Sequence, residues 1–176
     1  FPLTYWMEQQ GYDVSYQSGV DTNKDGPGLL RAKGFISVGH DEYWSREMYD
    51  SAIAARDAGV NLAFLSGNAV LGVVPFLPSA EGQPHRIMRR DSLFLGGRTK
   101  MPDGALLMGG RHAMGGVGGG DWVCAKPDHW VFEGTGMKKG EAIQGLVGWE
   151  WHSEPARGLP GHQILAESPT KAGNGK

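Results

Sequence analysis

The chain has 176 residues, of which 40% are hydrophobic, 20% charged and 10% aromatic, which supplies apolar material for a core and excludes a disordered tail. Seventeen basic against nineteen acidic side chains leave a formal charge of -2, so the electrostatic footprint of a nucleic-acid or anionic-membrane binder is missing, and no apolar stretch approaches the ~20 residues of a membrane span. One cysteine, Cys124, permits neither an internal disulfide nor a thiolate zinc cage.

The opening segment predicts a helix: Pro2 suits a first turn, Leu3, Trp6 and Met7 share one side, and Gly11 is a stop. Tyr12-Asp13-Val14-Ser15-Tyr16 alternates as a strand and runs into a turn-rich loop from Ser18 to Gly28, followed by a short helix around Leu29 to Ala32. Gly34 to Gly39 is a short apolar strand of the kind buried in a parallel sheet. It ends at His40-Asp41-Glu42-Tyr43-Trp44, after which Ser45 predicts an N-cap and a helix from about Arg46 to Ala58, stopped by Gly59. A strand over 61–65 follows, ending in Ser66-Gly67-Asn68. Strand, helix, strand in this rhythm predicts an α/β sandwich whose parallel sheet contains residues near 13–16, 35–38 and 61–65.

The second half changes period. Glycine, at 29 residues, is more than twice its usual ~7% share, and much of it lies between Gly96 and Gly120. Short strands are expected at Ser92 to Leu95, Ala105 to Met108, Trp122 to Ala125, His129 to Phe132 and Leu146 to Trp151, forming a β-rich extension. The reading is one domain over 1–176, with an α/β core at 1–75 and the extension at 76–176. The opening Phe1-Pro2-Leu3-Thr4-Tyr5-Trp6 and the polar end at Lys176 suggest part of a longer protein.

In open parallel sheets, ligands collect beyond the carboxyl ends of the strands. Three polar clusters fall there: Ser18 to Asp21, His40 to Tyr43 and Ser66 to Asn68. The second packs an imidazole, two carboxylates and a phenol into four residues, which reads either as a solvated acidic helix start or as a site. Spacing argues against several familiar chemistries. Ser66 lacks the flanking glycines of a nucleophile elbow, no Gly-x-Gly-x-x-Gly follows the first strand, and no pair of histidines shares a helical turn. His85, His112, His129 and His162 stand isolated, as surface or capping histidines do. Glu150, between Trp149 and Trp151, is either an exposed strand carboxylate or one with a partner such as a metal ion.

Taken together, Gly39-His40-Asp41-Glu42-Tyr43-Trp44-Ser45, Asp57-Ala58-Gly59-Val60-Asn61-Leu62-Ala63-Phe64-Leu65-Ser66-Gly67-Asn68 and Gly148-Trp149-Glu150-Trp151 resemble the large (beta) subunit of N,N-dimethylformamidase. Gly11 to Tyr16 and His129 to Gly136 fit the same pattern. The resemblance implies a three-layer sandwich similar to class I glutamine amidotransferases, without the elbow cysteine. It also implies a mononuclear ferric iron held by two tyrosines and a glutamate. Carried over, these are Tyr43 and Glu150; Phe1 aligns with the other tyrosine, and Tyr5 is the nearest phenol. His40, Glu42 and Asn68 are then the groups beside the metal that orient substrate and move protons. Phenolates and a carboxylate are hard donors suited to ferric iron. The expected activity is metal-assisted hydrolysis of a small amide, with a small second subunit or a further copy as partner. The alternative is a non-catalytic amidotransferase-like module of a larger protein that binds a glycan or a protein partner through its tryptophans.

Overall fold

In the computed structural model, residues 2–90, 103–112, 119–148, 152–155 and 158–170 are described. The chain forms two compact units, 1–102 and 103–176. It is a mixed α/β protein with small parallel and antiparallel sheets. No helix among the described residues is long and apolar enough to cross a membrane.

The first unit begins with α1 (Pro2–Gln9), stopped where expected: Gly11 takes a φ of 77°, its N–H reaches Glu8 O, and the N–H of Tyr12 reaches Met7 O. Next come α2 (Gly19–Lys24) and a 3-10 turn (Gly26–Arg31). Strand β1 (Gly34–His40) is followed by β2 (Tyr43–Trp44), α3 (Arg46–Asp57) and β3 (Asn61–Gly67). The parallel pair expected from the sequence forms, β1 against β3 from Gly34↔Asn61 to His40↔Gly67. Beyond it lie β4 (Gly72–Val73), parallel to β2, and the hairpin of β5 (Phe76–Leu77) with β6 (Ile87–Met88).

Helix α3 is defined at both ends by local chemistry. Ser45 Oγ accepts the N–H of Met48, and the chain leaves through Gly59 at φ 96°, whose N–H bonds Arg56 O while Val60 N–H bonds Ala55 O. Val60 and Ala55 then share a buried cluster with Leu29, against which Phe35 and Leu62 pack. Met48, Tyr49, Ala52 and Ala55 form the buried stripe of the helix. Trp44, fully buried, meets Phe35 edge-on at 6.3 Å and Phe64 at 6.0 Å, one from each strand. The far face of the pair leaves Ile36, Val38 and Leu65 exposed.

Several expectations are corrected. Residues 12–16 form no strand, so the sheet holding β1 and β3 has two strands among the described residues. The two tyrosines of that segment are drawn to α1 instead, Tyr12 packing on Trp6 at 5.8 Å and Tyr16 donating its hydroxyl to Glu8. Within the expected loop, α2 forms because Ser18 and Asp21 make a reciprocal capping box. That contact holds the Asp21 carboxyl below its ordinary range, so the cap acts above the usual carboxylate pKa and fades as pH falls through the lowered one.

In the second unit, 105–108 is a helix, α4 (Ala105–Met108), because Asp103 accepts the N–H of Ala105 and Gly109 closes the turn at φ 82°. Residues 130–132 form a 3-10 turn rather than a strand, with His129 Nδ1 accepting the N–H of Val131. β7 (Gly110–His112) pairs with β10 (His152–Pro155), and a separate antiparallel sheet runs β11 (Ala166–Glu167), β8 (Gly120–Cys124), β9 (Ala142–Val147). The strand expected at 146–151 therefore begins earlier, at Ala142, and 92–95 lies outside the described residues. Cys124 is buried, and Trp122 covers Phe132 at 5.8 Å.

Trp44→Ala is expected to lower the unfolding free energy by about 3–5 kcal/mol, because no neighbour can fill an indole-sized void. Urea denaturation followed by circular dichroism reads this; a loss below 1 kcal/mol would show that Trp44 is not the centre of the first unit.

Candidate functional site

The carboxyl ends of β1 and β3 bring together two of the three polar clusters. In this register His40 lies beside Gly67, so the turn 40–43 and the loop 66–72 leave the sheet side by side. Backbone hydrogen bonds join them: Val70 N–H to Asp41 O at 3.2 Å, and Leu71 and Gly72 N–H to Glu42 O at 3.0 and 2.8 Å. Side chains add to this. Ser66 Oγ accepts the N–H of Asp41, Ser37 Oγ donates to Asp41 Oδ2 at 2.7 Å, and the Trp44 indole N–H donates to Asp41 O at 3.1 Å.

On this frame, His40 Nε2 lies 3.0 Å from Glu42 Oε2, with the carboxylate 14% and the imidazole 53% exposed. Tyr43 pairs with Gly72, and a Cβ on that glycine would stand 2.6 Å from the phenol ring. The ring thus fills the space that a glycine alone leaves open. The Arg90 guanidinium lies 6.0 Å from the centre of the same ring.

Asn68 is the strained member of the site. Its φ is 49° and that of Val70 is 57°; the left-handed region is tolerated by asparagine and costly for a β-branched valine. The Asn68 side chain is buried, and its Oδ1 has no hydrogen-bond partner among the described residues. A buried carboxamide oxygen left unpaired costs roughly 1–3 kcal/mol, so this atom is an acceptor held ready for a donor.

Of the other residues that the resemblance implies as metal ligands, Tyr5 is the one described. Tyr5 sits on α1, 62% exposed, its hydroxyl accepting from Gln9 Nε2 at 2.9 Å. Phe1 and Glu150 lie outside the described residues. No group of three or more His, Cys, Asp and Glu side chains suited to a metal occurs among the described residues. The oxygen donors on the strand-end frame are the Tyr43 phenol, the Glu42 carboxylate and the orphaned Asn68 carboxamide. By type these are hard oxygen donors.

One histidine expected to stand isolated has a side-chain partner. His85 Nδ1 lies 3.1 Å from Asn23 Nδ2, a partner 62 positions away with no motif to announce it.

A parallel strand pair with a strained, polar loop cluster at its carboxyl end makes this an α/β protein with a candidate site at the strand ends. The chain belongs to the family described as N,N-dimethylformamidase beta subunit-like, C-terminal, which matches residues 1–176. Comparison with curated proteins and with solved structures found no match.

Two substitutions test this geometry. Asn68→Gly removes both the orphaned acceptor and the left-handed strain, so thermal stability is expected to hold or rise, whereas a well-satisfied buried asparagine would lose ~1 kcal/mol or more. Gly72→Ala, by contrast, forces the Tyr43 ring to move at a cost of about 1–3 kcal/mol, seen as a changed near-ultraviolet tyrosine signal and a lower unfolding midpoint.

Proposed function

We propose that this protein is a metal-assisted amide hydrolase related to N,N-dimethylformamidase, with its site at the carboxyl end of β1 and β3. The observation that carries the reading is the orphaned Asn68 Oδ1 beside the loop junction that bears the His40–Glu42 pair. Membership of the dimethylformamidase-like family supports it. Tyr43 and Glu150, with Tyr5 as the second phenol, are the proposed metal ligands. When bound, ferric iron supplies a Lewis acid for an amide carbonyl and an acidified water.

The chain's own groups supply orientation and proton handling. Glu42 pairs with His40 Nε2 and so orients the imidazole, the group proposed to handle protons at this turn. Asn68 Oδ1 accepts a hydrogen from substrate or water and fixes its direction. One feature favours a different carboxylate ligand: Glu42 is mostly buried on the same turn as Tyr43.

The proposal extends to the fold. Residues 13–17 line the same cavity of about 830 Å3 as β1 residues 34–38, and that edge of β1 has no backbone partner among the described residues. A further strand at that edge, and helices over Ile36, Val38 and Leu65, would give the three-layer sandwich similar to class I glutamine amidotransferases. The family description as beta subunit-like supports a second subunit as partner, which we take to be the small one. The alternative, a non-catalytic module binding a glycan or protein partner, is favoured by Trp130, 75% exposed and tilted against His129 at 5.5 Å between ring centres.

Elemental analysis and visible absorption of the purified chain test the metal, and amine release from N,N-dimethylformamide tests the activity. The expected result is one iron with a phenolate charge-transfer band, lost in Tyr43→Phe and Glu150→Gln. If Glu150→Gln keeps iron and Glu42→Gln loses it, Glu42 is the carboxylate ligand. His40→Ala is expected to keep iron and lower kcat about 10²–10³-fold. A chain without iron and without amine release, yet retained by a glycan array through Trp130, belongs to the alternative.

A further inference from the structure

A polar chain in the first unit is used by none of the groups assigned above. Ser45 Oγ accepts the N–H of Met48 at 3.1 Å and donates its own proton to Asn23 Oδ1 at 2.6 Å. Asn23 Nδ2 lies 3.1 Å from His85 Nδ1. Hydrogen-bond polarity runs one way through these contacts. With the Asn23 amide oxygen toward Ser45, the Ser45 hydroxyl donates to it and Nδ2–H faces His85. In that orientation Nδ1 is the acceptor, which requires the tautomer with the proton on Nε2.

The placement of His85 gives the chain a purpose. His85 lies in the loop between β5 and β6 with a φ of 57°, a conformation that histidine tolerates. That loop is internally tied, Ser79 N–H to Gln83 O at 2.8 Å and Arg86 N–H to Leu77 O at 2.9 Å. Only two residues before β5, β4 pairs with β2, and just past β6, Arg90 stands over the Tyr43 ring. A single excursion of the chain, 72–90, thus grips the site segment at two points: Tyr43–Trp44 directly through β4, and Ser45 through His85 and Asn23. Ser45 is fully buried, so its hydroxyl has no water to replace a lost partner.

We propose that His85 is a positioning residue of the strand-end site: its Nδ1 lone pair, acting through Asn23, fixes the Ser45 hydroxyl and with it the start of α3 that sets the turn carrying His40, Glu42 and Tyr43. This rests on the reading of that turn as the site. Asparagine at 85 can present Oδ1 where Nδ1 stands and accepts a positive φ, whereas glutamine carries its acceptor farther out, near the position of Nε2. His85→Asn should therefore retain the latch, and His85→Gln should lose it.

The experiment uses the whole chain. Long-range proton–nitrogen spectra of the unaltered protein should show His85 with its proton on Nε2; a proton on Nδ1 overturns the proposal and needs no variant. Amide exchange should then be at least tenfold faster at Met48 in His85→Gln, near the unaltered rate in His85→Asn, and unchanged at Ala58 in both. With N,N-dimethylformamide, kcat should fall about tenfold in His85→Gln with KM within twofold, and return in His85→Asn. Equal Met48 exchange in all three proteins, or no rescue by asparagine, overturns the proposal. Absence of iron and of amine release in the unaltered chain counts instead against the hydrolase reading, and the tautomer and exchange results still decide the latch.

Discussion

The burial of one indole organises the first unit. Trp44 touches an aromatic ring from each of the two parallel strands and turns its N–H back to the carbonyl of Asp41, so core packing and the conformation of the polar turn are one constraint. The residues on either side inherit their positions from it. Tyr43 lies against Gly72, where any side chain larger than hydrogen would collide with the phenol, and Ser45 is delivered to cap α3. A large buried aromatic is an effective anchor because its many contacts leave it few alternative places, so its sequence neighbours have few as well.

The polar end of the strand pair runs against the stability of the rest. Two non-glycine residues in the left-handed region cost roughly 1–3 kcal/mol each. Four hydrogen bonds join the turn to the loop that holds those residues, each with a net worth of roughly 0.5–1.5 kcal/mol, and they offset the strain to within its uncertainty. Asn68 Oδ1 remains buried and unpaired inside this frame. Residues held in that way are expected where a protein binds something, since folding alone would select a satisfied group or an apolar one.

The second unit obeys different rules. Its three-stranded antiparallel sheet is short, its buried residues include Cys124 and Phe132, and the exposed strand β9 bends at Gly145, whose N–H is taken by the Asp121 carboxylate. The irregular register between β8 and β9 at that point breaks the flat edge that would otherwise invite pairing with another chain. With Trp130 exposed on its 3-10 turn, this unit presents aromatic surface while the first unit holds the strained polar cluster.

What the sequence determined is what depends on near neighbours. Gly11 and Gly59 end helices by taking positive φ, Ser45 caps α3, and the apolar runs of β1 and β3 on either side of a helix of ordinary length admit a parallel pair, which brings His40 to Tyr43 beside Ser66 to Asn68. Residues 18–28 read as a turn-rich loop, although a serine three residues before an acid is the signal of the Ser18–Asp21 capping box that starts α2. Tertiary structure decided the rest. The alternating segment 12–16 had two suitors, β1 and α1, and Trp6 and Glu8 claimed its tyrosines, a contest that periodicity cannot score. Ala105 to Met108 was too short for its apolar run to distinguish strand from helix, and the side chain of Asp103 settled it. The partnership of Asn23 with His85 rests on a hydrogen bond between residues far apart in the chain, and such a bond leaves no periodic trace, because its direction and length exist only once three separate elements have packed.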